Sequence, residues 1–426
     1  MTFAPWTDAM LAATRGMGDP LADAAVAALY EEAGGGRDGL KKLNDFLFGL
    51  TFEDQFTHAQ LPGPVHAFAV ASADPPPWAD AALVEAGQRF FYDNGLGATV
   101  LLVCASLPEC YVMRNGIHVL GMTTYLKDRP GLRILETSQM VRDAMLPGGL
   151  ASGAKGILSV QKVRLLHAAV RHLILTTATG GVGHDMGKVW GEARWNPEWG
   201  HPICQEDMAY TLQTFAYVVL RGLKTMGAEV TPAQEDAFIH CWNVVGAVLG
   251  VDRSLLPEPE PGDGGPSRFA RAEMLYHAIR ARQAGRTDDG VAITAALVAF
   301  VEKILTDRLP GELPLKFLRA GHLERLPRLI MRDVLGPETM KLLGVELSDK
   351  TGFAKVKEEL FLLTLRFVYD VLQRLSGGTF ISRASDSLHI ALTEQLSKLP
   401  PGYKQTFLPA SLRRTGPGAP PDAVDR

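Results

Sequence analysis

Apolar side chains return at helical spacing along most of this chain, and that periodicity constrains the fold more than any other feature. Over 158–176 they fall at Val163, Leu166, Val170 and Ile174, the i, i+3, i+7, i+11 row of one helix face. Over 206–226 they fall at Met208, Leu212, Phe215, Val219, Leu223 and Met226, again on one stripe. The next segment, 232–250, carries its own start and stop. Thr231 is placed as N-cap, Pro232 at the first helical position and Gln234 two residues on, which makes a capping box. Its core stripe is Phe238, Cys241, Val245 and Val248, and Gly250 ends it.

Strand signals are thin. Only ATVLLVCA at 98–105 reads as a β-branched apolar run, and it suits a strand or a buried helix equally. It follows the turn-forming DNGLG at 93–97. The glycine-rich TGGVGHDMGKVW at 179–190 has no strand before it, so it reads as a loop and not as a phosphate cradle. The fold expected is mainly α.

Residues 255–266, rich in Pro, Gly and acidic side chains, read as a linker. It divides a helical region at 1–254 from a second at 267–397. The latter holds an apolar helix at 291–305 and a further one at 355–375. Residues 398–426 read as a disordered tail.

Composition narrows the functional classes. The chain is 46% hydrophobic and 21% charged, so a large core with room for a buried cofactor is feasible. The net charge of −4 comes without any basic block, which argues against a nucleic-acid surface. The four cysteines form no CxxC pair and read as reduced, buried thiols. The first twenty residues lack the basic and apolar blocks of a secretory signal. The longest apolar run, 291–301, falls short of the ~20 residues that span a bilayer. A cytoplasmic location with no transmembrane segment is expected.

Histidines carry the most chemical information. No HExxH or HxH pattern appears among the eleven, which disfavours a zinc hydrolase. His167 differs from the rest because it shares the apolar stripe of Val163, Leu166, Val170 and Ile174. It is either a satisfied core histidine or the ligand of an iron facing an apolar pocket. Arg164 and Arg171 flank it on the same helix, as partners for an acidic group or as surface charge. Upstream, Arg133, Glu136 and Thr137 fall within one helical turn, and Arg133 with Glu136 also has the spacing of a plain surface ion pair.

The order of these pieces resembles a known family. RILET at 133–137 is followed by VRLLHAAVR at 163–171, then by WNPEWGHPICQEDMAYTLQTF at 195–215 and a helix ending VVGAVLGV at 244–251. The span of about 85–255 is similar to the catalytic domain shared by latex-clearing proteins (rubber oxygenases) and the prenyl-chain-cleaving oxygenase of mycophenolic acid biosynthesis. The resemblance implies a globin-like helical core with additional N- and C-terminal helices, holding haem b. It implies His167 as the proximal iron ligand, with Arg164 and Arg171 as cofactor-binding neighbours. It implies O2 as co-substrate and an apolar, isoprenoid-like substrate. On the distal side the family carries an Arg-x-x-Lys-Thr run. Arg133 and Thr137 match it, whereas Glu136 replaces the lysine, which suits a base or hydrogen-bond acceptor better than an iron cap. The family's glutamate base, about twenty residues earlier, has no counterpart in RNGIHVLG at 114–121, where His118 is the nearest titratable group. Peroxidase-like or monooxygenase-like chemistry, and a non-catalytic binding protein of the same fold, stay open as alternatives.

Overall fold

The computed structural model describes residues 5–50, 56, 60–122, 130–178, 195–308 and 325–346. The loop expected at 179–190, the helix at 355–375 and the tail at 398–426 lie outside the described residues. Among the described residues there is no strand, only an isolated bridge between Met113 and Ala284. The chain is all-α, as the periodicity predicts.

Helix α1 (Asp8–Thr14) packs on the main core, and an N-terminal layer comprises α2 (Pro20–Glu32), α3 (Gly36–Gly49) and α4 (Gly63–Ser72). The next run holds α5 (Ala81–Asp93), α6 (Gly95–Leu101), α7 (Leu107–Cys110), α8 (Ile117–Met122), α9 (Pro130–Met145) and the long α10 (Lys155–Ala178). Then come α11 (Gln205–Phe215), α12 (Tyr217–Thr225), α13 (Pro232–Val248), α14 (Arg268–Gln283), α15 (Asp288–Arg308) and α16 (Leu326–Leu342).

The ambiguous run at 98–105 is helical. It completes α6 and continues into a π-helical turn at Leu102–Ser106. Ala98, Leu101, Cys104 and Ala105 are buried together, which is helix spacing and not alternation. The hydroxyl of Thr99 bonds back to the Gly95 carbonyl at 2.7 Å, so this β-branched residue is accommodated. Tertiary burial on most sides overrides the strand propensity.

The 206–226 stripe keeps its buried face but not its continuity. Ala216, at φ −93° and ψ −74°, breaks it into α11 and α12. The Thr214 hydroxyl turns back onto the Thr211 carbonyl at 2.8 Å, competing with the helical ladder at that point. The capping box on α13 is present as expected: Thr231 Oγ1 accepts from the Gln234 amide, and the Gln234 side chain accepts from the Thr231 amide. Such caps contribute about 1 kcal/mol. Helix α5 lies along α13, and Gly87 permits the close approach, since a Cβ there would sit 2.5 Å from the Ala237 carbonyl oxygen.

The main core joins α5, α6, α9, α11, α12, α13 and α14. A second core joins α2, α3 and α4 to one face of α10 through Leu165, Ala168, Ala169 and Leu173. The Pro/Gly segment 255–266 is pinned and not loose. Glu258 is buried in it, accepting from His240 Nδ1 at 2.9 Å, Asn243 Nδ2 at 2.9 Å and Arg268 Nε at 2.7 Å. Burial opposes ionisation of Glu258, yet these donors outweigh it and hold the carboxyl below its ordinary range. Beyond the segment, Ala272, Leu275, Tyr276 and Ile279 of α14 return to the main core.

Among the described residues no single helix is long and apolar enough to cross a membrane. The bent pair Ala81–Asp93 and Gly95–Cys110 has a suitable composition, but its apolar residues lie in the main core.

Candidate functional site

Helix α10 has two apolar faces with different neighbours. Leu165, Ala168, Ala169 and Leu173 are fully buried against the N-terminal layer. Val163, His167 and Val170 lie away from that layer, Leu166 stands at its border, and all four are only half-buried. A helix normally leaves its polar face partly open, so a half-open apolar stripe carrying an imidazole is the anomaly that marks the site.

Helix α9, which carries Arg133, Glu136 and Thr137, packs along α10, and its Asp143 accepts from Ser159 Oγ at 2.6 Å. Thr137 is half-buried, whereas the side chains of Arg133 and Glu136 lie outside the described residues.

Arg164 and Arg171 are neither surface charge nor open to an external acid. Arg164 Nε and Nη2 donate to both oxygens of Asp19, at 2.6 and 2.9 Å, and Nη1 donates to the Val248 carbonyl at 3.1 Å. Arg171 Nε donates to Asp23 Oδ1 at 2.8 Å and its Nη1 to the Ile203 carbonyl at 3.0 Å. Both guanidiniums are buried. Each charge is neutralised here by a carboxylate at the start of α2. They clamp the N-terminal layer to α10.

His118 sits on α8 with Nδ1 3.0 Å from Asp289 Oδ2. Its ring stacks on Trp199 with centroids 3.8 Å apart and planes 18° apart. Trp199 in turn meets Trp195 edge-on at 5.2 Å, and the Trp195 indole N–H donates to the Gly200 carbonyl at 2.9 Å. Val119 of α8, Trp195 and Ile174 form one small apolar cluster, with Met122, Val170, Trp199 and Ile203 packed against it. The His118 element and the tryptophan loop thus border the stripe that carries His167. Arg15 ties this loop to the N-terminus by donating to Glu206 and Asp207, each at 3.0 Å, and to the Trp199 carbonyl.

Sequence reading missed Asp289. It also missed a buried polar knot in which Glu109 Oε1 accepts from Tyr210, Tyr276 and Arg280, each at 2.7 Å. Both sets join residues more than 100 positions apart, and no local pattern marks them. The four cysteines are free and buried, as expected, and burial pushes Cys104, Cys110 and Cys241 up to about 12. They are unsuited to nucleophilic roles.

Three further histidines set a pH response. Burial lowers the pKa of His172, His201 and His277. The folded state therefore binds fewer protons than the unfolded chain below about pH 6.5, the ordinary histidine value. Stability should hold at neutral pH and fall as pH drops through that value. Denaturant midpoints at about pH 7.5 and 5.5 check this, and replacing the three with Asn should flatten the dependence.

The family model described as ER-bound oxygenase mpaB/B′/rubber oxygenase, catalytic domain, matches residues 96–368. The rubber oxygenase of Streptomyces sp. (strain K30) is 26% identical over 352 residues, spanning 79% of this chain and 71% of that protein. The structure of latex clearing protein LCP in the closed state shares the fold, with a TM-score of 0.61 over 84% of each chain at 22% identity.

Proposed function

The chain belongs to the mpaB/rubber-oxygenase catalytic-domain family, and from that premise we propose that it is a haem-dependent oxygenase acting with O2 on an apolar, isoprenoid-like substrate. The observation that carries the reading is the half-open apolar stripe of α10 with His167 at its centre. The donor set fits a haem better than a bare ion. Among the described residues no group of three His, Cys, Asp or Glu side chains converges as a metal-ion site would need. A haem iron asks the protein for one imidazole and an apolar surround, and His167 with Val163, Leu166 and Val170 is of that kind.

His167 would hold the group from one side, and bound haem would supply the iron that activates O2. Val163, Leu166 and Val170, with Met122 of α8, would exclude water and receive an alkene chain. Thr137, half-buried on α9, offers a hydroxyl to orient a polar atom. Glu136, standing where relatives of the latex-clearing type carry lysine, would accept a hydrogen bond or a proton instead of capping iron. Arg133 completes that distal set.

The lysine-to-glutamate difference gives one second reading its footing, a peroxide-driven oxidation by the same group, because distal polarity steers haem chemistry. The test is product analysis of purified protein, loaded with haem and supplied with short polyisoprene chains, under O2 and separately under peroxide. Carbonyl-terminated fragments formed only with O2 are expected. Turnover with peroxide alone would replace the oxygenase reading, and a protein that takes up no haem would end both.

A further inference from the structure

A carboxylate–imidazole pair stands at the edge of the His167 stripe. His118 and Asp289 come from segments 171 residues apart, and 21% and 25% of their side chains are exposed. A carboxylate only accepts hydrogen bonds, so the 3.0 Å contact makes His118 Nδ1 the donor, and in the neutral ring this leaves Nε2 with its lone pair. No described residue bonds to Nε2. Trp199 fixes the ring plane from one side at 3.8 Å.

The backbone around the pair is shaped to admit the carboxylate. Gly121 lies one turn after His118 on α8, and a Cβ there would fall 2.3 Å from the Asp289 carboxylate. Asp289 itself occupies the first turn of α15, where the helix dipole favours a negative charge. One helix end therefore supplies the acid, a glycine gap lets it in, and a stacked tryptophan holds the base. Val119 and Trp199 connect this assembly to Val170 and Ile174 on α10.

We propose that His118 and Asp289 are the proton-transfer pair of this site, with Nε2 of His118 as the reacting atom and Asp289 as its positioning residue. What the proton belongs to rests on the oxygenase reading: an O–H group of the oxygenated substrate. The substrate O–H bond breaks, its electron pair stays on oxygen, and an N–H bond forms at Nε2. The resulting imidazolium keeps its Nδ1–H bond to the Asp289 carboxylate, which balances the new charge. The reverse step returns the proton to a product oxygen.

The experiment uses haem-loaded full-length protein and two variants. His118→Phe keeps the ring stacked on Trp199 but removes the proton site. Asp289→Asn keeps the shape but removes the charge. Both should lower kcat on the order of 100-fold, with KM, haem content and melting temperature unchanged. Selective histidine nitrogen NMR should show the Nδ1–H form of His118 in the parent, and loss of that preference in Asp289→Asn. Wild-type kcat in His118→Phe would reduce the ring to a stacking partner and overturn the proposal. An Nε2–H form in the parent would overturn it as well. A parent protein without haem or O2-dependent turnover would defeat the oxygenase reading before any variant is compared, and the tautomer would still decide the pair's geometry.

Discussion

Replacing His167 with alanine should strip the protein of haem while leaving it folded. On the haem reading the imidazole is the one side chain able to ligate iron on the half-open stripe with Val163, Leu166 and Val170. Those neighbours would bury a porphyrin's apolar face but could not ligate iron. Loss of even outer-shell support costs metal sites 10–100-fold in affinity, so loss of the ligand should reach at least about 100-fold. Haem-to-protein ratio and the Soret absorption band of protein expressed with ample iron measure this. The opposite face of α10, with Leu165, Ala168, Ala169 and Leu173, carries the packing, so the melting temperature of haem-free protein should barely move. An alanine variant with a parental spectrum would assign the iron to another residue.

Removing Asp19 should cost the N-terminal layer several kcal/mol of stability. Its carboxylate takes two hydrogen bonds from Arg164, and the pair is only 9% and 11% exposed. Asp19→Ala leaves a guanidinium buried beside Phe68 with one carbonyl for company. Breaking a buried pair from one side costs about 3–5 kcal/mol. Gly250, at φ +90°, leaves the room the pair needs: a Cβ there would sit 2.5 Å from Asp19 and 2.6 Å from Arg164. Denaturant titration of Asp19→Ala measures the loss. The double variant Asp19→Ala with Arg164→Met should regain most of it, since the uncompensated charge is gone. Asp23→Ala should cost less, because Asp23 is 33% exposed and Arg171 retains the Ile203 carbonyl.

These two expectations draw on different kinds of information. The helix that carries His167, its register and its apolar stripe are legible in VRLLHAAVR, because helical spacing is set within two turns of chain. The same holds for α13, where Thr231 and Gln234 cap each other across three residues. The break at Ala216 was not legible: the stripe of 206–226 runs on without interruption, and the backbone departs from the helix at Ala216 only in the folded chain. The run at 98–105 was ambiguous, since a segment buried on most sides loses the periodicity that separates strand from helix.

Around the candidate site the division is sharper. His167, Thr137 and His118 could be singled out by residue type and order along the chain. Their surroundings could not. Arg164 looked available to an acidic ligand until Asp19, 145 residues away, proved to hold it. His118 looked like an isolated titratable group until Asp289, 171 residues away, and Trp199 turned it into half of an oriented pair. The sequence by itself determined where helices run and which of their faces are apolar, because those properties depend on neighbours three or four residues apart. Which charges are neutralised and which stay open for chemistry was decided only by the tertiary structure. That choice depends on helix ends and glycine gaps brought together across long stretches of chain, where no short-range spacing can encode the partner.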